Sequence, residues 1–257
     1  MPTPLGAHNP RIAFARELLT KKGRKAHARF AFEGPTLLHE ALEAGAHVES
    51  VFVTAGEYDD ASAVARAEAR GAAVYAVDER TMQRISDLET PSGIVAIAPL
   101  QLEPAASLFQ APGIVLALAD VSDPGNAGTL LRSAEAFGIQ RVVFGSRGAE
   151  PHLPKVVRSA MGALFRVRLA VASADEIAQH VSNWQVTGLT SEGEPLSGLK
   201  WAVRSLLLVG SERRGLGTWQ RLCTRFAAIP MRGDAESLNA AIAGSIALYE
   251  AAKQSFS

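Results

Sequence analysis

Apolar positions along this chain follow two patterns. Short continuous apolar blocks, which suit strands buried on both faces, alternate with stretches where apolar side chains recur every three to four residues, which suits amphipathic helices. Before residue 99 the pattern predicts a helix over 35–44, a strand at 48–54, a helix near 61–70 and strands at 72–77 and 94–98. After residue 112 it predicts strands at 114–119, 141–144, 186–189, 205–209 and 226–229, separated by helices over roughly 127–137, 155–164 and 174–181 and followed by one over 238–252. Residues 99–112 hold Pro99, Pro104 and Pro112 and no periodicity, as in a linker. The expected organisation is therefore a small α/β domain over 1–98, a linker, and a larger α/β domain over 113–257 built on a parallel sheet. No internal repeat or low-complexity tract interrupts it.

Composition narrows the class without naming a chemistry. With 257 residues, 47% apolar and 20% charged, the chain has material for one large or two modest cores. Its apolar runs are strand length, far short of a membrane span. Residues 1–19 lack the apolar segment of a secretion signal, and Cys223 is the sole cysteine, so a reducing cytoplasm is the expected compartment. Twenty-six basic and 26 acidic residues cancel overall. Locally they do not: Arg11, Arg16, Lys21, Lys22, Arg24, Lys25 and Arg29 face only Glu17 in the same stretch. This basic run fits a solvated loop closing a short helix as well as it fits contact with nucleic acid.

Three stretches sit where a predicted strand ends or a helix begins, the places where an open α/β sheet carries its ligand groups. The first runs from Asp123 through Pro124-Gly125-Asn126 to Arg132. Pro124-Gly125 reads as a turn and Asn126 as the cap of the next helix. Alone, Arg132 reads as a surface partner of Glu135 at helical spacing. The second, Gly210-Ser211-Glu212-Arg213-Arg214-Gly215, has the glycine spacing of a phosphate loop but continues with Leu216-Gly217 instead of Lys and Ser or Thr. That argues against a nucleotide triphosphatase, and the absence of a dinucleotide glycine fingerprint argues against a nicotinamide enzyme. What remains is a loop able to approach a ligand closely, with Glu212 near its centre. The third passes from Ile229-Pro230-Met231 to Ser237-Leu238-Asn239 and then into small residues, Ala240, Ala241, Ala243, Gly244 and Ala247. Those allow a helix to lie very close to another backbone.

In this order, the three stretches resemble the motifs of the SpoU/TrmH family of RNA ribose 2'-O-methyltransferases, within the SPOUT superfamily. Residues 154–164 are similar to the segment between its motifs, so the resemblance covers 113–257, and Phe32-Glu33-Gly34 with Glu40-Ala41-Leu42 is similar to the ribosomal-protein-like domain that precedes many members. The resemblance implies a deep trefoil knot in the carboxyl-terminal domain, S-adenosylmethionine bound in a bent form, and a homodimer whose active sites involve both chains. It assigns cofactor contacts to Thr190, Gly210, Ile229, Met231 and Leu238, and catalytic roles to Asn126, Arg132, Glu212, Ser237 and Asn239. Asn126 and Asn239 would orient Arg132 and the ribose, with Glu212 holding its loop or pairing with Arg132. Because a guanidinium stays protonated, Arg132 is expected to fix a phosphate and lower the effective pKa of the 2'-hydroxyl. Lys21, Lys22, Arg24, Lys25 and Arg29 are the expected RNA contacts, and no metal is expected.

Arg213 departs from the family pattern, where glycine is common, and Ala240-Ala241 replace a valine-containing sequence. Ribosomal RNA, 23S in particular, is preferred over transfer RNA because a ribosomal-protein-like domain is more typical of the enzymes that modify it. The competing readings are a transfer-RNA methyltransferase, a catalytically idle ribosome-assembly factor of the same fold, and an outlier acting on a small molecule or protein.

Overall fold

A computed structural model of the chain describes residues 2–54, 62–233 and 237–253. They form two compact units, residues 1–100 with 152–165 and residues 101–151 with 166–257. Among the described residues no helix is long and apolar enough to cross a membrane.

The first unit contains β1 (Thr3–Pro4), α1 (Pro10–Glu17), α2 (Lys21–His27), β2 (Arg29–Glu33), α3 (Pro35–Glu43), β3 (Ser50–Thr54), α4 (Ala63–Ala69), β4 (Ala73–Val77), α5 (Glu79–Ile85) and β5 (Ile94–Pro99). Its sheet runs β1-β4-β3-β5-β2, parallel except for β5, which is antiparallel to both neighbours. Each element expected from periodicity is present with its ends shifted slightly; residue 61, the expected start of α4, lies outside the described residues. The sequence did not announce α1, α2, β2 or α5. In α1 and α2 the many Arg and Lys side chains hide a short stripe, and side-chain caps start both helices: Asn9 Oδ1 accepts from Arg11 N at 2.9 Å and Thr20 Oγ1 from Gly23 N at 3.0 Å.

The basic run is accordingly not a loop, and part of it faces inward. Arg24 is 2% exposed, and its Nη1 donates to the carbonyls of Leu18 and Leu19 at 3.0 and 2.9 Å. It closes the carboxyl end of α1, and a guanidinium buried against its own backbone in this way is turned from the solvent where the expected RNA contacts would be made. Arg29 pairs with Glu49 at 2.7 Å, whereas Lys21, Lys22 and Lys25 are exposed.

The chain continues with β6 (Gly113–Ala119), α6 (Pro124–Ala136), β7 (Arg141–Gly145), α7 (Pro154–Ala160, part of the first unit), β8 (Arg168–Ala172), α8 (Ala174–Ala178), β9 (Gln185–Pro195), β10 (Arg204–Gly210), β11 (Arg225–Ala228) and α9 (Ala240–Lys253). Six strands in the order β11-β9-β10-β6-β7-β8 form a wholly parallel sheet, as the continuous apolar runs require. Edge strand β8 was not expected: its five residues, exposed at Arg168 and Val171 and buried between and after them, follow neither a strict alternation nor a continuous apolar run. The stretch read as a linker also contributes to this unit, since Ala105–Phe109 is a 3-10 turn that buries Leu108 and Phe109 against Val115, Val143 and Trp184. Glu103 anchors it to β8, accepting from Arg168 Nε at 2.8 Å and Nη2 at 2.6 Å, and these bonds, with that from Ser107, lower its pKa to about 2.

Two helices differ locally from expectation. The helix expected over 155–164 breaks at Met161, where φ is +52°, and ends as a 3-10 turn. The cap of α6 is Asp123, whose Oδ1 accepts from Asn126 N at 2.7 Å, so Pro124-Gly125 forms the first helical turn rather than a preceding one.

In the first unit His152 is buried beside Phe30, with ring centroids 4.6 Å apart. Burial first, and the nearby Arg24 second, push its pKa down to about 3. Unfolded, this imidazole binds its proton near pH 6.5, well above the folded value, so stability falls as pH drops from about 6.5 toward 3, by at most ~1.4 kcal/mol per pH unit. Thermal unfolding followed between pH 7 and 4 should therefore fall more steeply for the native chain than for His152→Phe, and equal slopes would show that this group does not titrate on unfolding.

Candidate active site at the carboxyl ends of the strands

In the second unit the chain moves outward from β6 through β7 to β8 on one side, while β10, β9 and β11 lie on the other. The switch point of the sheet therefore falls between β6 and β10, where loops leaving neighbouring strands diverge and open a crevice. The loop after β6 enters α6. The loop after β10 turns sharply, with Ser211 N donating to Gly215 O at 3.0 Å and Gly215 N returning to Ser211 O at 2.8 Å. Glu212, Arg213 and Arg214 form its tip. Gly215 has φ +55°, and a Cβ at Gly210 would lie 2.3 Å from the Gly215 carbonyl carbon, so this turn depends on both glycines.

Helix α9 completes the site from beneath. A Cβ at Gly244 would lie 2.3 Å from Leu130 Cδ2 on α6 and 3.1 Å from Val209 Cγ2 on β10, which measures how closely the helix is seated. Asn239 opens that helix, its Oδ1 accepting from Ala241 N at 2.9 Å and Ile242 N at 3.2 Å. Its Nδ2 donates to Asn126 Oδ1 at 3.1 Å and to Glu212 Oε1 at 2.6 Å, while Asn126 Nδ2 donates to the same Glu212 oxygen at 2.9 Å. All three sequence stretches thus meet in one hydrogen-bonded cluster.

Two hollows flank this cluster. One, a cavity of about 230 Å³, is lined by Thr190, Gly210, Ile229, Met231 and Leu238, together with Glu212 and Ser237. Part of its wall comes from β9. There the pairing with β11 jumps from Gly188 opposite Phe226 to Glu194 opposite Ala227, so residues 189–193 leave the ladder and curve around the opening. Among the described residues its lining includes no Lys, Arg or His, and Glu212 is its one carboxylate. The other hollow, of about 340 Å³, lies over the switch point and shares Ser211 and Glu212 with the first, adding Asp123, Asn126 and Arg213.

Of the residues singled out in the sequence, Asn126, Glu212, Ser237, Asn239 and the five expected cofactor contacts come together here. Arg132 stands apart: it is exposed on α6 and makes no hydrogen bond or ion pair among the described residues, with Glu135 or with Glu212. Neither asparagine bonds it among the described residues; the Nδ2 groups of both donate to Glu212 instead. Glu212 is likewise unpaired with Arg213 or Arg214 among the described residues. Sequence reasoning missed Ser211, whose Oγ accepts from Arg214 N at 3.2 Å and stiffens the turn; an ST turn over 211–214 was its available signal.

A parallel α/β sheet with a cavity and a carboxylate–amide cluster at its strand ends marks a ligand-binding protein of the open-sheet class. Comparison with known proteins makes this specific. Residues 113–249 match the SpoU rRNA Methylase family, and residues 9–96 match the MRM3-like substrate binding domain. The chain belongs to the SpoU rRNA methylase family. It is 30% identical, over 95% of its length and 96% of the relative's, to the 23S rRNA (guanosine(2553)-2'-O)-methyltransferase RlmP of Bacillus subtilis (strain 168). Among solved structures it is similar to an AdoMet-bound rRNA methyltransferase from Sinorhizobium meliloti, with 29% identity, a TM-score of 0.86 and 98% of both chains covered. It is also similar to the SpoU methyltransferase AviRb from Streptomyces viridochromogenes in complex with AdoMet, with 26% identity, a TM-score of 0.83, and 97% of this chain and 99% of that one covered.

Gly210→Ala should displace the 211–215 turn, since the added methyl group meets backbone rather than a movable side chain. Calorimetric unfolding is expected to show a loss of about 1–3 kcal/mol, and undiminished stability would mean that the turn is free to move aside.

Proposed function

We propose that this chain transfers the methyl group of S-adenosylmethionine to a ribose 2'-hydroxyl of ribosomal RNA, 23S in preference to transfer RNA, and works as a homodimer in the cytoplasm. The observation that carries this reading is the Asn126–Glu212–Asn239 cluster at the border of two hollows that share Ser211 and Glu212, because a methyl transfer needs the acceptor oxygen in line with the donor's methyl group, and adjoining hollows can hold the two side by side. The 230 Å³ cavity fits the cofactor chemically. Its apolar walls and backbone groups suit an adenine, and a lining with one carboxylate and no cation suits a sulfonium. Thr190, Gly210, Ile229, Met231 and Leu238 would hold the cofactor, which supplies an electrophilic methyl group.

The chain's own residues then have distinct tasks. Asn126 and Asn239 fix Glu212 by donating to one of its oxygens, which leaves the other free to face the cavity. Ser237 lines the same wall and can hydrogen-bond the ribose. Arg132, with no partner among the described residues, is available to hold a phosphate and favour the ionised 2'-hydroxyl. A stripe of exposed apolar residues on α9, Ile242, Ile246 and Tyr249 at 54%, 38% and 48% exposure, supports burial against a second copy. The knotted path implied by the family resemblance belongs to the same reading, and Lys21, Lys22 and Lys25 remain the available RNA contacts of the first unit.

Mapping 2'-O-methylation across ribosomal and transfer RNA, with and without this chain, should reveal one lost position in 23S rRNA. Unchanged maps in both would refute the proposal. With purified protein, Arg132→Lys should lower kcat by roughly 100-fold and move the rising limb of the pH–rate profile to higher pH; near-normal turnover with an unshifted profile would rule out a special role for the guanidinium.

A further inference from the structure

Arginines in the second unit fall into two groups. Several are committed to the fold: Arg141 donates to the carbonyls of Leu108, Ala111 and Pro112, Arg168 to Glu103, and Arg225 to Glu194. Arg213 has no such commitment. It is exposed, makes no hydrogen bond or ion pair among the described residues, and is the one cation lining the 340 Å³ hollow over the switch point.

Its position is fixed even though its side chain has no partner among the described residues. Arg213 follows Glu212, which is held by two asparagine amides, and lies inside a turn closed by the Ser211–Gly215 pair and by the Ser211 hydroxyl bonded to Arg214 N. An unpaired guanidinium carried on a rigid turn keeps its donors available and loses little backbone entropy on binding. The hollow also holds Asp123, but that carboxylate is engaged in capping α6 through Oδ1. The polar groups of this hollow are therefore amide, hydroxyl, carboxylate and one free guanidinium, which suits a sugar flanked by a phosphate.

We propose that Arg213 is a phosphate clamp that positions the RNA strand, gripping a phosphate beside the target ribose while that ribose lies over the switch-point hollow. The proposal rests on the RNA methyltransferase reading above and adds a positioning residue to it. A guanidinium binds two phosphate oxygens through parallel N–H bonds, which fixes orientation as well as distance. Arg213 thus sets where the strand lies and touches neither the methyl group nor the hydroxyl.

The test uses the full-length chain with an unmodified 23S rRNA transcript. Arg213→Gln should raise KM for RNA about tenfold with kcat nearly unchanged, and reduce the slope of log affinity against log salt by about 0.7–0.9, the loss of one phosphate contact. Arg213→Lys should restore the salt slope but only part of KM, since it keeps the charge and loses the fork. Calorimetry with S-adenosylhomocysteine should give the same affinity for all forms, and Arg221→Gln, which removes an exposed cation already paired with Asp175, should match the native chain. Unchanged KM and salt slope in Arg213→Gln overturn the clamp, as does a fall in kcat alone or in cofactor affinity. If the native chain methylates no RNA, the functional reading fails and the clamp with it; if it does and Arg213→Gln behaves like it, the clamp alone fails.

Discussion

The site depends on a single close approach. At position 244 only a hydrogen fits between α9 and the surface made by Leu130 and Val209, and that absence of a side chain lets α9 settle directly on α6 and the end of β10. Ala240, Ala241 and Ala247 are buried along the helix together with Leu248, so close packing of small residues is joined by one large apolar anchor. The Ser133 and Ser245 hydroxyls, 2.7 Å apart, join the two helices at the same level. Seated this way, α9 begins where Asn239 can reach Asn126 and Glu212 together. A helix lifted by the width of one methyl group would carry that amide beyond hydrogen-bond range of both.

How far the sequence revealed this depends on the range of the interaction concerned. Gly210, Gly215 and the small residues after Asn239 announced close backbone approaches because such approaches exclude side chains wherever they occur. Continuous apolar blocks such as Gly113–Ala119 announced the parallel sheet for an equally local reason. The cluster itself was hidden: its bonds join residues 86, 113 and 27 positions apart, and no periodicity spans such separations. The motifs revealed that Asn126, Glu212 and Asn239 belong together, but not that the asparagines hold the carboxylate instead of Arg132. Asp123 shows a different limit. A Pro-Gly pair serves equally as a turn and as the opening of a helix, and only the distance from the Asp123 carboxylate to the Asn126 amide decides between them. Arg24 shows a third, since a charge run records the composition of a surface segment and not the direction of each side chain.

Charge is distributed with the same economy. The chain is formally neutral, yet neutrality conceals a sorting of its cations. Arg141 satisfies three carbonyls of the Leu108–Pro112 stretch, and Arg168 ties Glu103 to the edge strand, so these guanidiniums shape loops that have no regular hydrogen-bond ladder. Arg132 and Arg213, on the loops and helix at the opposite end of the strands, lack partners among the described residues. A polyanion approaching this unit would find Arg132 and Arg213 available beyond the carboxyl ends of the strands, with no need for an overall positive charge.

The offset between β9 and β11 has a consequence beyond the cavity wall it makes. Edge strands of parallel sheets present unpaired backbone groups that can recruit a strand from another molecule, and a long flat edge is the most dangerous form. Here the outermost strand is only Arg225–Ala228, and its partner leaves the ladder between Gly188 and Glu194 and rejoins it out of step. An incoming strand would meet a template of only four residues, too short for an extended register to propagate. This border of the sheet is guarded by its length, while the excursion that shapes the ligand wall lies one strand further in.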